Sequence, residues 1–280
     1  MIRKFIVFAL VFAFSFTLQA VEFQSFTTSQ AESILKGANA TFAMRPLNGA
    51  SSKGKVFGFE IGVATNATES TIFKALPGGE SLPGFLPAPQ LYAAFGIPVI
   101  DVGLELQGFY LPTVAGIGFY NFGGNVFWSA KKLLDMIPIM GYVPFLNLAP
   151  RFTFSNFNLG VEQTTSASIS GVSASGSYDS KISGTTWGFN LSLSGKFPPA
   201  GPISIEPYTG IGFLSRNGEA DALVAASISS TPVISTITES GTDLHFFAGL
   251  QFCFAMVALT GEYDKIFDQN SFSGKVSFKF

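Results

Sequence analysis

From Gly54 to the carboxyl end, apolar and polar side chains alternate one by one through segment after segment. Phe57, Phe59, Ile61 and Val63 alternate with Gly58, Glu60, Gly62 and Ala64. Leu91, Ala93, Phe95 and Ile97 alternate with Tyr92, Ala94 and Gly96. After a turn at Pro98, Val102, Leu104 and Leu106 alternate with Asp101, Gly103, Glu105 and Gln107. A period of two marks a β-strand, because successive side chains leave opposite faces. The same rhythm runs through 146–155, 187–194, 203–213, 244–254 and 257–264. Glycines 116, 118, 123 and 124 blur it over 114–130, where Val126 and Trp128 are assigned to the apolar face. Between Phe154 and Phe157 the parity changes, which predicts a bulge near Ser155 and Asn156.

The last segment is the most regular. Phe272, Gly274, Val276, Phe278 and Phe280 share one face; Ser271, Ser273, Lys275, Ser277 and Lys279 share the other. With it the pattern counts ten strands, within a range of eight to twelve. Long connections at 68–88, 170–181 and 217–240 alternate with short ones at 97–100, 198–202 and 255–257. Alternation of that kind suits a closed up-and-down barrel, with short turns at one end and longer loops at the other. The connections 131–141 and 266–270 do not follow it. The stretches 164–183 and 225–241 are rich in Ser, Thr, Gly and Ala, and read as solvated hairpin extensions; an adhesive surface is the alternative. Pro77, Pro83, Pro87 and Pro89 predict an irregular loop, with an inward constriction as one option.

Met1 to Ala20 opens with Arg3 and Lys4, continues through the apolar run Phe5–Phe16 and ends on a small residue, the pattern of a cleaved export signal. Residues 21–53 form a separate segment. Ser29-Gln30-Ala31-Glu32 reads as the start of a short helix with Ala31, Ile34, Leu35 and Ala38 on one face. Arg45-Pro46-Leu47-Asn48-Gly49 ends regular structure there. A periplasmic flap and a plug in the barrel mouth both fit this segment. Residues 54–280 form the barrel.

Composition agrees with a membrane solvent. Hydrophobic residues make up 47% of the chain and charged residues 12%, against about 25% charged in soluble domains. No later run reaches the roughly 18 apolar residues of a spanning helix. The fold class is therefore all-β, a transmembrane antiparallel up-and-down barrel with a short N-terminal helical segment. The single cysteine, Cys253, rules out an internal disulfide framework and Cys-based metal clusters. A net charge of −2 gives no case for nucleic acid as a partner.

The terminal strand with its final Phe280 resembles the closing strand of bacterial outer-membrane β-barrels, the loosely described porin-like and transport-associated barrels of diderm bacteria. That resemblance implies an outer-membrane location with both termini periplasmic. It implies outer-membrane lipid and the barrel-assembly machinery as partners, with Phe272, Val276, Phe278 and Phe280 as the assembly signal. Facing inward are Glu60, Glu105, Arg151, Glu206, His245, Glu262 and Lys275, the lumen-lining candidates, together with Lys196, Asp264 and Lys279. Two readings fit them: a pairing network filling a narrow interior, or a polar lining for a water path. No catalytic role, cofactor or metal site is assigned. His245 has no acyl-transfer motif around it, and Cys253 has no basic neighbour in sequence to favour the thiolate. The functional expectation is a small porin-like channel for passive movement of small solutes, hydrophobic ones included. The alternative is a non-transporting structural or surface-interaction barrel.

Overall fold

The computed structural model describes residues 28–51, 58–74, 83–97, 99–114, 117–136, 145–169, 172–198, 203–226 and 233–280. The export signal, residues 21–27, Pro77 and much of the 198–202 turn lie outside them. Ten antiparallel strands close on themselves: β1 (Gly58–Glu69), β2 (Phe85–Ile97), β3 (Val102–Val114), β4 (Ile117–Trp128), β5 (Leu146–Ile169), β6 (Val172–Gly195), β7 (Ile203–Ala226), β8 (Val233–Phe254), β9 (Val257–Ile266) and β10 (Gln269–Lys279). Each strand pairs with its sequence neighbours, and β1 pairs with β10. Phe59 and Phe280 exchange both backbone hydrogen bonds, at 3.3 and 2.8 Å, and so complete the seam. Among the described residues three helices accompany the sheet: α1 (Thr28–Phe42), α2 (Thr71–Lys74) and α3 (Lys131–Asp135).

Alternation is converted directly into an outside and an inside. Phe59, Ile61, Val63, Phe189, Ile211 and Phe278 are exposed on the outer surface, while Glu60, Asn125, Ser192, Glu262 and Ser277 are buried within. An apolar band of this extent is stable only against hydrocarbon, since soluble monomers rarely expose more than a few hundred Å² of contiguous apolar surface. The fold is a closed ten-stranded antiparallel β-barrel with an apolar outer surface. Pairing of β1 with β10 leaves no strand at the end of an open sheet, and most of the backbone is satisfied within the ladders, as a lipid environment demands.

Inward glycines and inward aromatics are matched across strands. Phe127 lies over Gly103, Phe157 over Gly184, Phe247 over Gly210 and Tyr208 over Gly249, each pair directly opposed in the ladder. A Cβ at any of these glycines would run into the ring. The large side chains thus fill a narrow interior without spreading the wall.

Three expectations are corrected. The ladders run without a break through Ser155 and Asn156, so there is no bulge there. Phe157 is apolar yet faces inward, because it packs against Ile34, Leu35 and Ala38 of α1. The long connections expected at 170–181 and 217–240 are mostly strand, since β5 runs to Ile169 and β6 starts at Val172, and β7 runs to Ala226 and β8 starts at Val233; the Ser/Thr-rich stretches extend these hairpins. Backbone pairing alone sustains such a hairpin, so no apolar alternation is needed. The proline region is also shorter as a loop, since Pro87 and Pro89 belong to β2.

α1 starts one residue before Ser29, so Ser29 is its second residue and not its cap. Gly37 does not interrupt it, being buried within the barrel with the rest of the middle turns. Asn39 and Thr41 donate side-chain hydrogen bonds to their own helix, to Leu35 O (3.0 Å) and Gly37 O (2.9 Å). This local bonding satisfies polar groups that the interior would otherwise leave unpaired. Among the described residues no helix is long and apolar enough to cross a membrane.

Candidate functional site: the lumen and its N-terminal occupant

Beyond Phe42 the chain extends through the barrel interior, and Ala43 to Ala50 are buried almost throughout. The two ends of this segment are held differently. At the α1 end the contacts are apolar: Ile34, Leu35 and Ala38 pack on Phe157 and Ile182, and Phe42 stacks between Phe119 (4.8 Å) and Phe157 (4.9 Å). Lys36 adds an ion pair with Asp268 of the β9–β10 turn, at 2.8 Å. That hydrogen bond, with the charge of Lys36 behind it, holds the Asp268 carboxyl below its ordinary value.

At the other end the contacts are polar and converge on Asn48. Its amide donates to the Tyr92 hydroxyl and to Glu105 Oε1 (3.0 Å). Its Oδ1 accepts from Gln251 Nε2 and Lys275 Nζ, both at 2.7 Å. Arg151 donates to the carbonyls of Asn48 (2.8 Å) and Gly49 (2.6 Å), to Ser192 Oγ (2.8 Å), and lies over the Phe127 ring. Lys275 is also 2.6 Å from Glu60 Oε1, which accepts from Ser277 Oγ. Glu206 accepts from Ser51 Oγ (2.6 Å), the Ser51 amide (3.2 Å) and Ser194 Oγ (2.7 Å).

Midway, Arg45 is fully buried, 3.5 Å from Asp264, and donates to Ala40 O (2.7 Å) and Ser271 Oγ (3.2 Å). Burial pulls its ionisation downward, opposed by the charges of Asp264 and Glu262. His245 is bracketed by Asn190 (2.9 Å) and Asp264 (3.1 Å).

The seven lumen-lining residues are therefore all inside and nearly inaccessible. Glu60, Glu105, Arg151, Glu206 and Lys275 meet around the Asn48 end, whereas His245 and Glu262 lie in the Arg45 group with Asp264. Phe272, Val276, Phe278 and Phe280 point outward. Lys279 has a place that sequence did not suggest: Nζ is 3.3 Å from Cys253 Sγ and 3.1 Å from Gln251. So Cys253 does have a basic neighbour, two strands away in the barrel. Sequence reasoning missed Asn48 and Arg45 as lumen contacts, whereas the strand rhythm sets Tyr92 and Gln251 on the inward face. The only signal was the placement of Arg45 and Asn48 beside Pro46 in a segment with no strand rhythm.

Below Asn48 a cavity of about 180 Å³ opens beside the carboxyl terminus, lined among others by Ser51, Glu60, Lys196, Glu206 and Lys279. Among the described residues no cluster of His, Cys, Asp and Glu could hold a metal ion. Such an interior can bind and exclude by charge and size.

No protein-family model matches the chain, and no curated protein matches it. Among solved structures it is similar to the attachment invasion locus protein Ail of Yersinia pestis, at 10% identity and a TM-score of 0.27, covering 80% of this chain and 97% of that one. It is similar to the toluene transporter TodX of P. putida at 11% identity and a TM-score of 0.36, covering 85% and 70%. The outer membrane protease OmpT of Escherichia coli matches at 8% identity and a TM-score of 0.36, covering 82% and 98%.

Proposed function

We propose that this protein is a non-enzymatic outer-membrane barrel for passive movement of small solutes, and that its own N-terminal segment closes the passage. The carrying observation is the Asn48 node. One residue of the occupant meets four side chains from β2, β3, β8 and β10. Hydrogen bonds to charged partners contribute about 1.5–3 kcal/mol each, so the segment is held firmly while the node is intact. All of these wall groups are polar, and each can take water in place of Asn48 if the segment withdraws. An apolar wall would make withdrawal far costlier. The cavity beside the node is a ready entrance from the end that holds the carboxyl terminus.

On this reading residues 1–20 export the chain, both termini are periplasmic, and the terminal strand engages the assembly machinery. No cofactor takes part. The test is conductance in planar lipid bilayers. Wild type is expected to be closed for most of the record, and Asn48→Ala to open far more often. Sealed membranes with both proteins, each correctly inserted, would overturn the reading.

A surface-interaction role has one observation in its favour. β5 to β8 have 22–24 residues, against 10–13 in the other strands. Roughly ten extra residues per strand project about 30 Å beyond the rest along the strand direction. Shortening both hairpins would abolish a binding phenotype and leave conductance unchanged; unaltered binding would remove this second reading.

A further inference from the structure

The wall is not continuous between β2 and β3. Their ladder holds only the seven pairs from Leu91↔Gly108 to Ile97↔Val102. Both strands continue well past it: β2 back to Phe85 along β1, β3 on through Leu111 along β4. The sheet therefore splits, with one lip carried by β1 and the other by β4.

Proline keeps the split from zipping shut. Phe59 and Phe280 exchange hydrogen bonds, so odd residues of β1 turn to β10 and even ones to β2. Alternation along antiparallel strands then turns the odd residues of β2 and the even residues of β3 toward each other. Past the last pair, the backbone positions that regular alternation turns to the split are Phe85, Pro87, Pro89 and Tyr110. Two of the four are proline and have no N–H to donate, and Pro112, at the register shift between Leu111 and Val114, brings none to the β3 lip. A backbone donor left bare in hydrocarbon costs several kcal/mol; here the sequence removes the donors themselves.

The split has apolar surroundings. Ala67 pairs with both Pro87 and Phe272, so these residues share a level. Phe272 touches Phe85 and Tyr263 there, forming an aromatic belt. From that belt the opening runs down four residues to Leu91, about 13 Å along the strand. Behind it, Phe109 faces inward toward Phe119, which stacks on Phe42 of α1. At its base, the inward amides of Gln90 and Gln107 flank the last pair. Both are at least nine-tenths buried, and their carbonyl oxygens have no hydrogen-bond partner in the protein.

We propose that the split between β2 and β3 is a side portal, through which a slender, largely apolar molecule with a neutral hydrogen-bond-donating end passes between the outer leaflet and the lumen beside α1. The aromatic lips accept the apolar body, and the Gln90 and Gln107 oxygens accept the donor. This rests on the passive-transport reading above and names its substrate class.

The test uses cells producing the full chain and the probe N-phenyl-1-naphthylamine, an apolar fluorescent amine. Replacing Pro87, Pro89 and Pro112 together by valine restores three donors and should cut the protein-dependent uptake rate about tenfold. A second arm uses Pro89→Cys with Tyr110→Cys in a Cys253→Ser background. Bridging the assembled barrel with a flexible bismaleimide should give the same loss, measured before and after bridging on one sample. Unchanged uptake after bridging, with Asn48→Ala conductance still present, overturns the portal and leaves passive transport standing. Neither uptake nor conductance from any correctly assembled variant overturns both.

Discussion

Replacing Arg151 by Met probes the attachment of the N-terminal segment at its most buried charge. The Arg151 side chain is shut off from solvent, and its guanidinium serves four acceptors: the Asn48 and Gly49 carbonyls, Ser192 Oγ and, at 3.5 Å, Glu105. Methionine is apolar and fills part of the space over Phe127, but it donates to none of them. Removing one partner of a buried ion pair costs about 3–5 kcal/mol. The cavity beside Asn48 and Gly49 lets water reach those two carbonyls, which reduces the loss. The net expectation is about 3 kcal/mol. Glu105→Gln should cost less, about 1–2 kcal/mol, because its one amide oxygen can still accept from Asn48 in place of Oε1, while the bond from Asn125 to Oε2 is lost. The double variant should fall short of the summed costs by at least about 1 kcal/mol, since the two side chains share one contact. Urea unfolding of the barrel folded in phospholipid vesicles, followed by tryptophan fluorescence, measures all three. An Arg151→Met barrel within about 0.5 kcal/mol of wild type would refute the reasoning, because surface substitutions away from any such network give changes of that size.

Other expectations follow from the same geometry. Phe252→Arg on the outer face should destabilise the folded barrel by about 2–4 kcal/mol if its level is near mid-membrane; vesicle unfolding that finds charge equally tolerated on both faces contradicts the assignment. Gly210→Ala and Gly103→Ala, whose new methyl would meet the Phe247 and Phe127 rings, should each cost about 1–3 kcal/mol. Gly261→Ala, outward and with open space around it, should be near neutral in the same assay. The Lys36–Asp268 pair sets a pH dependence for α1. The Asp268 carboxyl is depressed below its ordinary 3.8 in the folded protein, chiefly by the Lys36 hydrogen bond. Its contribution is therefore present above pH about 4 and lost as pH falls through the lower folded value. The protection of α1 amides, relative to their intrinsic exchange at each pH, should fall modestly on acidification below pH 4, and Lys36→Ala should remove that pH-dependent change.

The strands were legible because lipid on one side and a polar lumen on the other impose a two-residue period that survives in one sequence. Trp187 to Ser194 and Phe272 to Phe280 kept it without exception. The rhythm misled at Phe157, where an inward side chain meets the apolar face of α1 and not the polar lumen. It was silent over 164–183, where the β5–β6 hairpin continues on backbone pairing and needs no apolar face. Inward charges were readable one at a time, yet their grouping was not. Glu60 and Lys275 lie on strands at opposite ends of the chain, and only closure of β1 on β10 makes them neighbours. Asn48 carried no rhythm at all. Pro87 and Pro89 looked like loop residues, since their fit in a strand depends on where the neighbouring ladder stops. Pro150 and Pro207, like Pro87 and Pro89, sit just past the end of one ladder.

Trp128 and Trp187, the two tryptophans of the chain, both stand on the outer surface, about 41% and 48% exposed. Fluorescence quenching by lipids brominated on their acyl chains therefore reads directly whether this surface meets hydrocarbon. Strong quenching of both single-tryptophan variants by brominated lipid, with little effect of aqueous iodide, is the predicted result. Quenching by iodide and indifference to bromine would mean that the aromatic side of the sheet faces water or another protein layer, and the membrane barrel would have to be abandoned.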